Sequence, residues 1–252
     1  EKKSQPGKVI RYFYWAAAAA AVIVLALLFI KPQPEQQIIT SGQEIKEIKL
    51  PDGSRVTLNK TSRIVYAESF KKSPDNRVVK LSGEAYFTIQ PNPKAPFIIE
   101  MKGINIEVLG TSFNVRQDSL AGFTEITVDT GTVKILNKAL KTSIIIKQGE
   151  KARFNYQNQE IHTYQKQNMN HLSWKTGILI FEDTPLQKVV QDLNQYYKEV
   201  RFIIENEEIK SCKLNAKIDN YEVQEVIQML ELVFDIKVRK ENNSYYLSGE
   251  GC

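Results

Sequence analysis

Two short stretches carry residues fit for covalent or acid–base work. In EVLGTSFNV, residues 107–115, Gly110 interrupts a strand-like run and Thr111 sets a hydroxyl nucleophile directly after it. Gly110 offers no side chain to hinder approach to its carbonyl, and it tolerates backbone angles other residues avoid. A hydroxyl attacks only when a base accepts its proton and donors hold the oxyanion. Asn114 is the nearby polar side chain, and no base can be named from the sequence. The same residues equally fit a β-bulge or turn in which Gly110 takes positive φ and Thr111 merely favours strand. The second stretch is TVDTGTV, residues 127–133. Asp129-Thr130-Gly131 between apolar runs spells the local signature of an aspartic protease, whose chemistry needs two carboxylates sharing a proton, so this single copy would require a symmetric dimer. Its plainer reading is a hairpin turning at Asp129-Thr130-Gly131.

Other chemistry is thin. His162 and His171 are the only histidines and lie in a polar stretch, where solvated surface side chains are expected rather than a zinc site. No glycine-rich phosphate loop is present, and no cofactor or metal is expected. Lys71, Lys72, Arg77 and Lys80 read as a solvated charged loop, and the sequons at Asn59 and Asn242 as chance. Cys212 and Cys252 could pair in an oxidising compartment, with free thiols weighted slightly higher. A membrane-anchored carbohydrate-binding module would need an exposed aromatic platform, whereas most aromatics here alternate with polar residues as core residues do.

The elements that would hold these residues follow from hydrophobic pattern. Tyr12–Ile30 is 19 residues without a charge or helix breaker; as a helix it would span roughly 28 Å, close to the bilayer core. Aromatics cluster at its start, and its exit LLFIKPQP has no small-x-small cleavage site, so a transmembrane helix is expected rather than a signal peptide. Residues 1–31 carry +4 of the net charge of +5, leaving +1 for the other 221 residues. That placement predicts a cytoplasmic N-terminus and removes the case for a nucleic-acid surface. Residues 1–11 are then a cytoplasmic stub, 12–30 the transmembrane helix and 31–43 a linker. From 44 to 165 short alternating runs with frequent turns predict an all-β sandwich or roll, beginning with a hairpin of EIKL and RVTL around Pro51–Ser54.

From His171 the period changes. Leu186, Val189, Val190, Leu193 and Tyr197 share one helical face, with Asp183-Thr184-Pro185 as cap and first-turn proline. Val223, Val226, Ile227, Leu230 and Phe234 repeat the stripe 37 residues later, with Asp219 and Glu222 as its capping box. Flanking strand candidates make 171–252 an α+β domain of duplicated β-α-β units.

LPDGSRVTLNKTSRIVY (50–66), RVVKLSGEAYFTI (77–89), PFII (96–99), VLGTSFNV (108–115) and KQGEKA (147–152) resemble, in order and spacing, the periplasmic domain of the FecR family of anti-sigma factors. WKTGILIFEDTPLQKVVQDLNQYY (174–197) resembles the start of the C-terminal domain common in FecR-like proteins of the Bacteroidota. The pattern departs at Thr130-Gly131, Gln148 and Thr176. The resemblance implies a single-pass protein of the bacterial inner membrane, its bulk periplasmic, and no enzyme toward other substrates. It implies as partners the signalling domain of an outer-membrane TonB-dependent receptor, docking on edge strands of residues 171–252, and an extracytoplasmic-function sigma factor held by a cytoplasmic region missing from this chain. In some members of the family Gly-Thr in such a motif is a self-cleavage junction, which here is Gly110-Thr111.

Overall fold

The computed structural model of the protein describes residue 15, residues 35–67, residue 70, residues 77–166 and residues 168–252. The expected span Tyr12–Ile30 lies, Trp15 apart, outside the described residues, as do residues 1–11, Lys71 and Lys72. Among the described residues no helix is long and apolar enough to cross a membrane. Residues 36–252 form one compact unit.

The alternating runs become strands β1 (Gln36–Thr40), β2 (Lys46–Lys49), β3 (Arg55–Leu58), β4 (Arg63–Ala67), β5 (Arg77–Ser82), β6 (Glu84–Thr88) and β7 (Phe97–Glu100). They continue as β8 (Ile104–Val108), β9 (Ser112–Asp118), β10 (Phe123–Thr130), β11 (Thr132–Asn137), β12 (Ser143–Lys147), β13 (Glu150–Asn155) and β14 (Ile161–Gln165). Two sheets of seven result, ordered β1-β4-β5-β7-β8-β11-β12 and β14-β13-β10-β9-β6-β3-β2. Period-two patterning orients strands such as β8, INIEV, which buries Ile104, Ile106 and Val108 and turns Asn105 and Glu107 away from the core, whereas β10 buries the consecutive residues Thr124 to Val128. The inward faces share one core, in which Phe97, Ile99 and Ile135 of the first sheet and Phe87, Phe113 and Ile126 of the second are fully buried. Each such side chain contributes about 1.5–3 kcal/mol by leaving water.

The expected hairpin of β2 and β3 forms, closed by Leu50 N–H donating to the Ser54 carbonyl at 2.8 Å. The expected hairpin at Asp129-Thr130-Gly131 does not. β10 and β11 belong to different sheets, so Gly131, at φ 78°, turns a corner between layers. Both strands bury a face in the same core, and reaching it from opposite sides requires changing sheet. The linker is also shorter than expected: Gln36–Thr40 pairs with β4, and Ile39 packs on the core. β14 was invisible to pattern because IHTYQ is exposed along almost its whole length.

The C-terminal lobe begins with a 3-10 turn at Asn170–Leu172 and a short helix α1 (Ser173–Thr176). Then come β15 (Ile178–Pro185), α2 (Leu186–Tyr196), β16 (Arg201–Ile204), β17 (Lys213–Asp219), α3 (Val223–Phe234), β18 (Lys237–Glu241) and β19 (Ser244–Ser248). The two helical stripes meet in a second core with Leu179, Phe181, Leu214 and Ile218. Corresponding strands of the two repeats come together: β15 pairs antiparallel with β17, while β16 and β18 flank β19. Neither β-α-β repeat is therefore closed within one sheet.

The helix starts differ from expectation. β15 runs through Pro185, which becomes the N-cap of α2 without a side-chain cap, and Asp183 sits at φ 48° in a bulge facing Lys213. At α3 the capping box is Glu222 with Glu225, not Asp219 with Glu222. Asp219 remains in β17, where its strand pairing continues to Ile178. Cys212 and Cys252 are joined in a disulfide with Cα atoms 5.7 Å apart, against the weighting toward free thiols. The chain end returns beside the start of β17, a proximity that a separation of 40 residues conceals.

Candidate functional site

Gly110 and Thr111 lie at the corner where the chain leaves β8 in the first sheet and enters β9 in the second. β11 pairs with β8 and β10 with β9, so the corner at Gly131 runs alongside in the opposite direction. The Thr111 hydroxyl stitches the two corners, donating to the Thr132 carbonyl at 2.9 Å, while the Thr111 carbonyl accepts from Ile89 N–H at 3.1 Å. Thr111 is 3% exposed. Gly110 does not take positive φ; it is glycine because a Cβ there would lie 2.7 Å from Pro91 Cα. A Cβ on Gly131 would press on Thr111 Oγ1 at 2.9 Å. Asn114 is committed elsewhere, its Nδ2 donating to Glu84 Oε1 at 3.0 Å. The arrangement buries and orients the hydroxyl, and the group accepting its proton's hydrogen bond is a backbone carbonyl rather than a base.

The bulge expected at Gly110 sits instead on the neighbouring strand. Register shifts between Val128 and Thr130, leaving Asp129 as the extra residue of β10. A bulge re-aims its side chain, and this one points Asp129 toward the connection to the C-terminal lobe. Asp129 Oδ1 meets Lys166 Nζ at 2.8 Å and His171 Nε2 at 3.2 Å. Burial pushes the Asp129 carboxyl up, but hydrogen bonding and charge from His171 and Lys166 prevail and hold it below its usual value. The Tyr86 hydroxyl beside it is pushed up to about 12, first by burial and then by the Asp129 carboxylate. Lys175 of α1 lies over the Tyr86 ring at 4.3 Å. Asp129 thus anchors an interlobe junction, and its ion pairing opposes the shared-proton dyad of a protease. His171 is largely buried here, not solvated; His162 is exposed beside Glu160.

A second bridge is centred on Glu84, which is 5% exposed: its Oε2 accepts from Asn59 Nδ2 at 2.8 Å within the β lobe and lies 3.8 Å from Lys198 Nζ of the C-terminal lobe. Between the lobes lies a cleft of about 980 Å³. On its β side Glu125 pairs with Arg153 at 2.7 Å, Arg116 at 3.6 Å and Lys151 at 3.8 Å. Burial raises the Glu125 carboxyl, and Lys151, Arg153 and Arg116 together bring it below its usual value. Among the described residues no group of three His, Cys, Asp or Glu side chains is placed to hold a metal. Sequence reading missed Tyr86, Lys166 and Glu84, since nothing local marks a residue whose partner lies in another lobe or strand.

The fold and these contacts define a two-lobed, β-rich protein: a two-sheet β lobe tied by polar bridges to an α+β lobe, with its reactive-looking residues at corners and junctions. The chain belongs to the FecR family: residues 36–134 match the family described as FecR protein, and residues 178–247 match FecR, C-terminal. It is similar to crystal structures of a "putative anti-sigma factor" from Parabacteroides distasonis, at 2.50 Å and 1.65 Å resolution. Both align with a TM-score of 0.63 and 26% identity, covering 86% and 85% of this chain and 100% of each solved chain. Compared with the curated proteins, the chain matches none. These similarities support an anti-sigma, signal-transducing role.

Proposed function

We propose that the chain is a single-pass inner-membrane anti-sigma factor that senses the state of an outer-membrane TonB-dependent receptor through its periplasmic lobes and controls an extracytoplasmic-function sigma factor. The observation carrying this reading is the tandem match of the two lobes to the FecR protein and its C-terminal domain. The apolar run Tyr12–Ile30 ahead of them supplies the anchor, with the N-terminus on the cytoplasmic side. In this reading the expected domain of residues 44–165, extended back to Gln36 by β1, forms one lobe, and residues 171–252 dock the receptor. The Asp129–His171 and Glu84–Lys198 contacts couple the docking lobe to the β lobe. A pull-down with the receptor's signalling domain tests the assignment: the full chain retains it, and deletion from residue 171 releases it. Retention after that deletion overturns the reading.

Gly110-Thr111 is the proposed processing point within this function. Thr111 Oγ would attack the Gly110 carbonyl, the hydroxyl proton would pass to the departing amide nitrogen, and water would then open the ester. Burial of the Thr111 hydroxyl at the junction supports the proposal, and before attack the hydroxyl has to leave the Thr132 carbonyl.

A further inference from the structure

The cleft between the lobes carries more positive charge than its own carboxylates answer. Six Lys or Arg side chains line it, three from each lobe, against three carboxylates. Three of the cations are engaged. Lys188 pairs with Asp192, Lys198 lies 3.8 Å from the buried Glu84, and Arg153 donates to Glu125 Oε2 from Nη2 at 2.7 Å and from Nε at 3.2 Å.

Arg116 and Lys151 are placed differently. They lie 3.6 and 3.8 Å from that same Glu125, beyond hydrogen-bonding reach, and among the described residues neither side chain donates a hydrogen bond. Their remaining contacts are with ring faces, Arg116 over Phe123 at 5.1 Å and Lys151 over Tyr164 at 5.8 Å. Stacking of that kind leaves the guanidinium edge and the ammonium hydrogens unused. The two side chains are 18% and 30% exposed, so a molecule in the cleft has access to both. Arg201 and Glu199 also line the cleft and make no ion pair among the described residues. Setting those two against each other still leaves Arg116 and Lys151, two cations in a cleft whose walls concentrate their field.

α2 contributes neutral groups to the same cleft. Gln191 and Gln195 stand one turn apart, and among the described residues their amides neither donate nor accept a hydrogen bond. An amide offers both donors and an acceptor, which suits hydroxyl groups.

We infer that the cleft binds a small phosphate monoester bearing hydroxyl groups, its phosphate on Arg116 and Lys151 and its hydroxyls on Gln191 and Gln195. A phosphate monoester brings about 1.5 to 2 negative charges at pH 7 and three acceptor oxygens, which answers both cations. A single carboxylate leaves one of them unanswered. The guanidinium edge takes such an oxyanion through two parallel hydrogen bonds. A volume of about 980 Å³ holds a sugar-sized molecule. Because the ligating groups come from both lobes, the ligand adds a bridge to those at Asp129–His171 and Glu84–Lys198. This binding is independent of receptor sensing and stands if that reading fails.

Titration calorimetry of the full chain with glucose 6-phosphate, inorganic phosphate and glucose tests the inference. Saturable binding of glucose 6-phosphate is expected, with weaker binding of inorganic phosphate and none of glucose. Lys151→Gln and Arg116→Gln each weaken ester binding about tenfold or more and flatten its salt dependence. Glu125 keeps Arg153 in both variants, and circular dichroism with thermal melting establishes that they fold. Gln191→Ala combined with Gln195→Ala lowers affinity for the ester and leaves that for inorganic phosphate unchanged. No saturable binding of the ester, or affinity unchanged in folded Lys151→Gln and Arg116→Gln, overturns the inference. Inorganic phosphate held as tightly as the ester overturns the role of the two glutamines. A capped oligoglutamate peptide that binds where the ester does not overturns the small-molecule assignment in favour of an acidic chain.

Discussion

Asp129 Oδ1 lies 3.2 Å from His171 Nε2, joining the bulge of β10 to the turn that opens the C-terminal lobe. Removing the carboxylate leaves Lys166 and His171 without their shared anion. Asp129→Asn is expected to destabilise the chain by about 2 kcal/mol, less than the 3–5 of a fully buried pair, because the three side chains are 10–17% exposed. Urea unfolding of the variant measures it.

The same group predicts acid sensitivity. Its folded carboxyl lies below the ordinary 3.8, so the stabilisation is complete above pH 3.8 and is lost as pH falls through the lower folded value. The wild type should therefore lose stability more steeply than Asp129→Asn on the acid limb. Parallel acid limbs would assign the contact no net energy.

Gly110→Ala tests why the strand carries a glycine. The added Cβ meets Pro91 backbone at 2.7 Å with no φ penalty, so the cost is overpacking, about 1–3 kcal/mol. A thermal melt unchanged from wild type would show that the β8–β9 corner can shift away from Pro91.

Cleavage at Gly110-Thr111 is expected to give two fragments by intact mass, while Thr111→Ala stays whole. The fragments should co-purify, because β8 and β9 sit within different sheets sharing one core. A single wild-type mass would leave Thr111 with its stitching of two corners as its whole role.

Reduction of the Cys212–Cys252 disulfide, which closes a separation of 40 residues, should lower stability by about 2–4 kcal/mol. Melts with and without reductant, with Cys252→Ser as reference, give the value.

Much of the fold was legible because local pattern and tertiary role agree. INIEV alternates as a buried strand must, and Leu186 to Tyr197 keeps helical period, since each element buries one face. Capping was harder to read: Asp219 and Glu222 had the right types, but the chain stays in β17 through Asp219 and begins its helix later, so Glu225 completes the box. The candidate site was legible only as residue types. Asp129 looked catalytic or turn-forming, and its real partner Lys166 lies 37 residues away.

By itself the sequence determined strand and helix periods, the apolar run at Tyr12–Ile30 and a family resemblance, because these rest on side-chain order along the chain. Tertiary structure decided that Asp129-Thr130-Gly131 turns between sheets, that the Thr111 hydroxyl donates to the Thr132 carbonyl, and that the two cysteines meet. Those outcomes depend on which distant main-chain and polar groups come within hydrogen-bonding reach, and only the packed chain sets that distance.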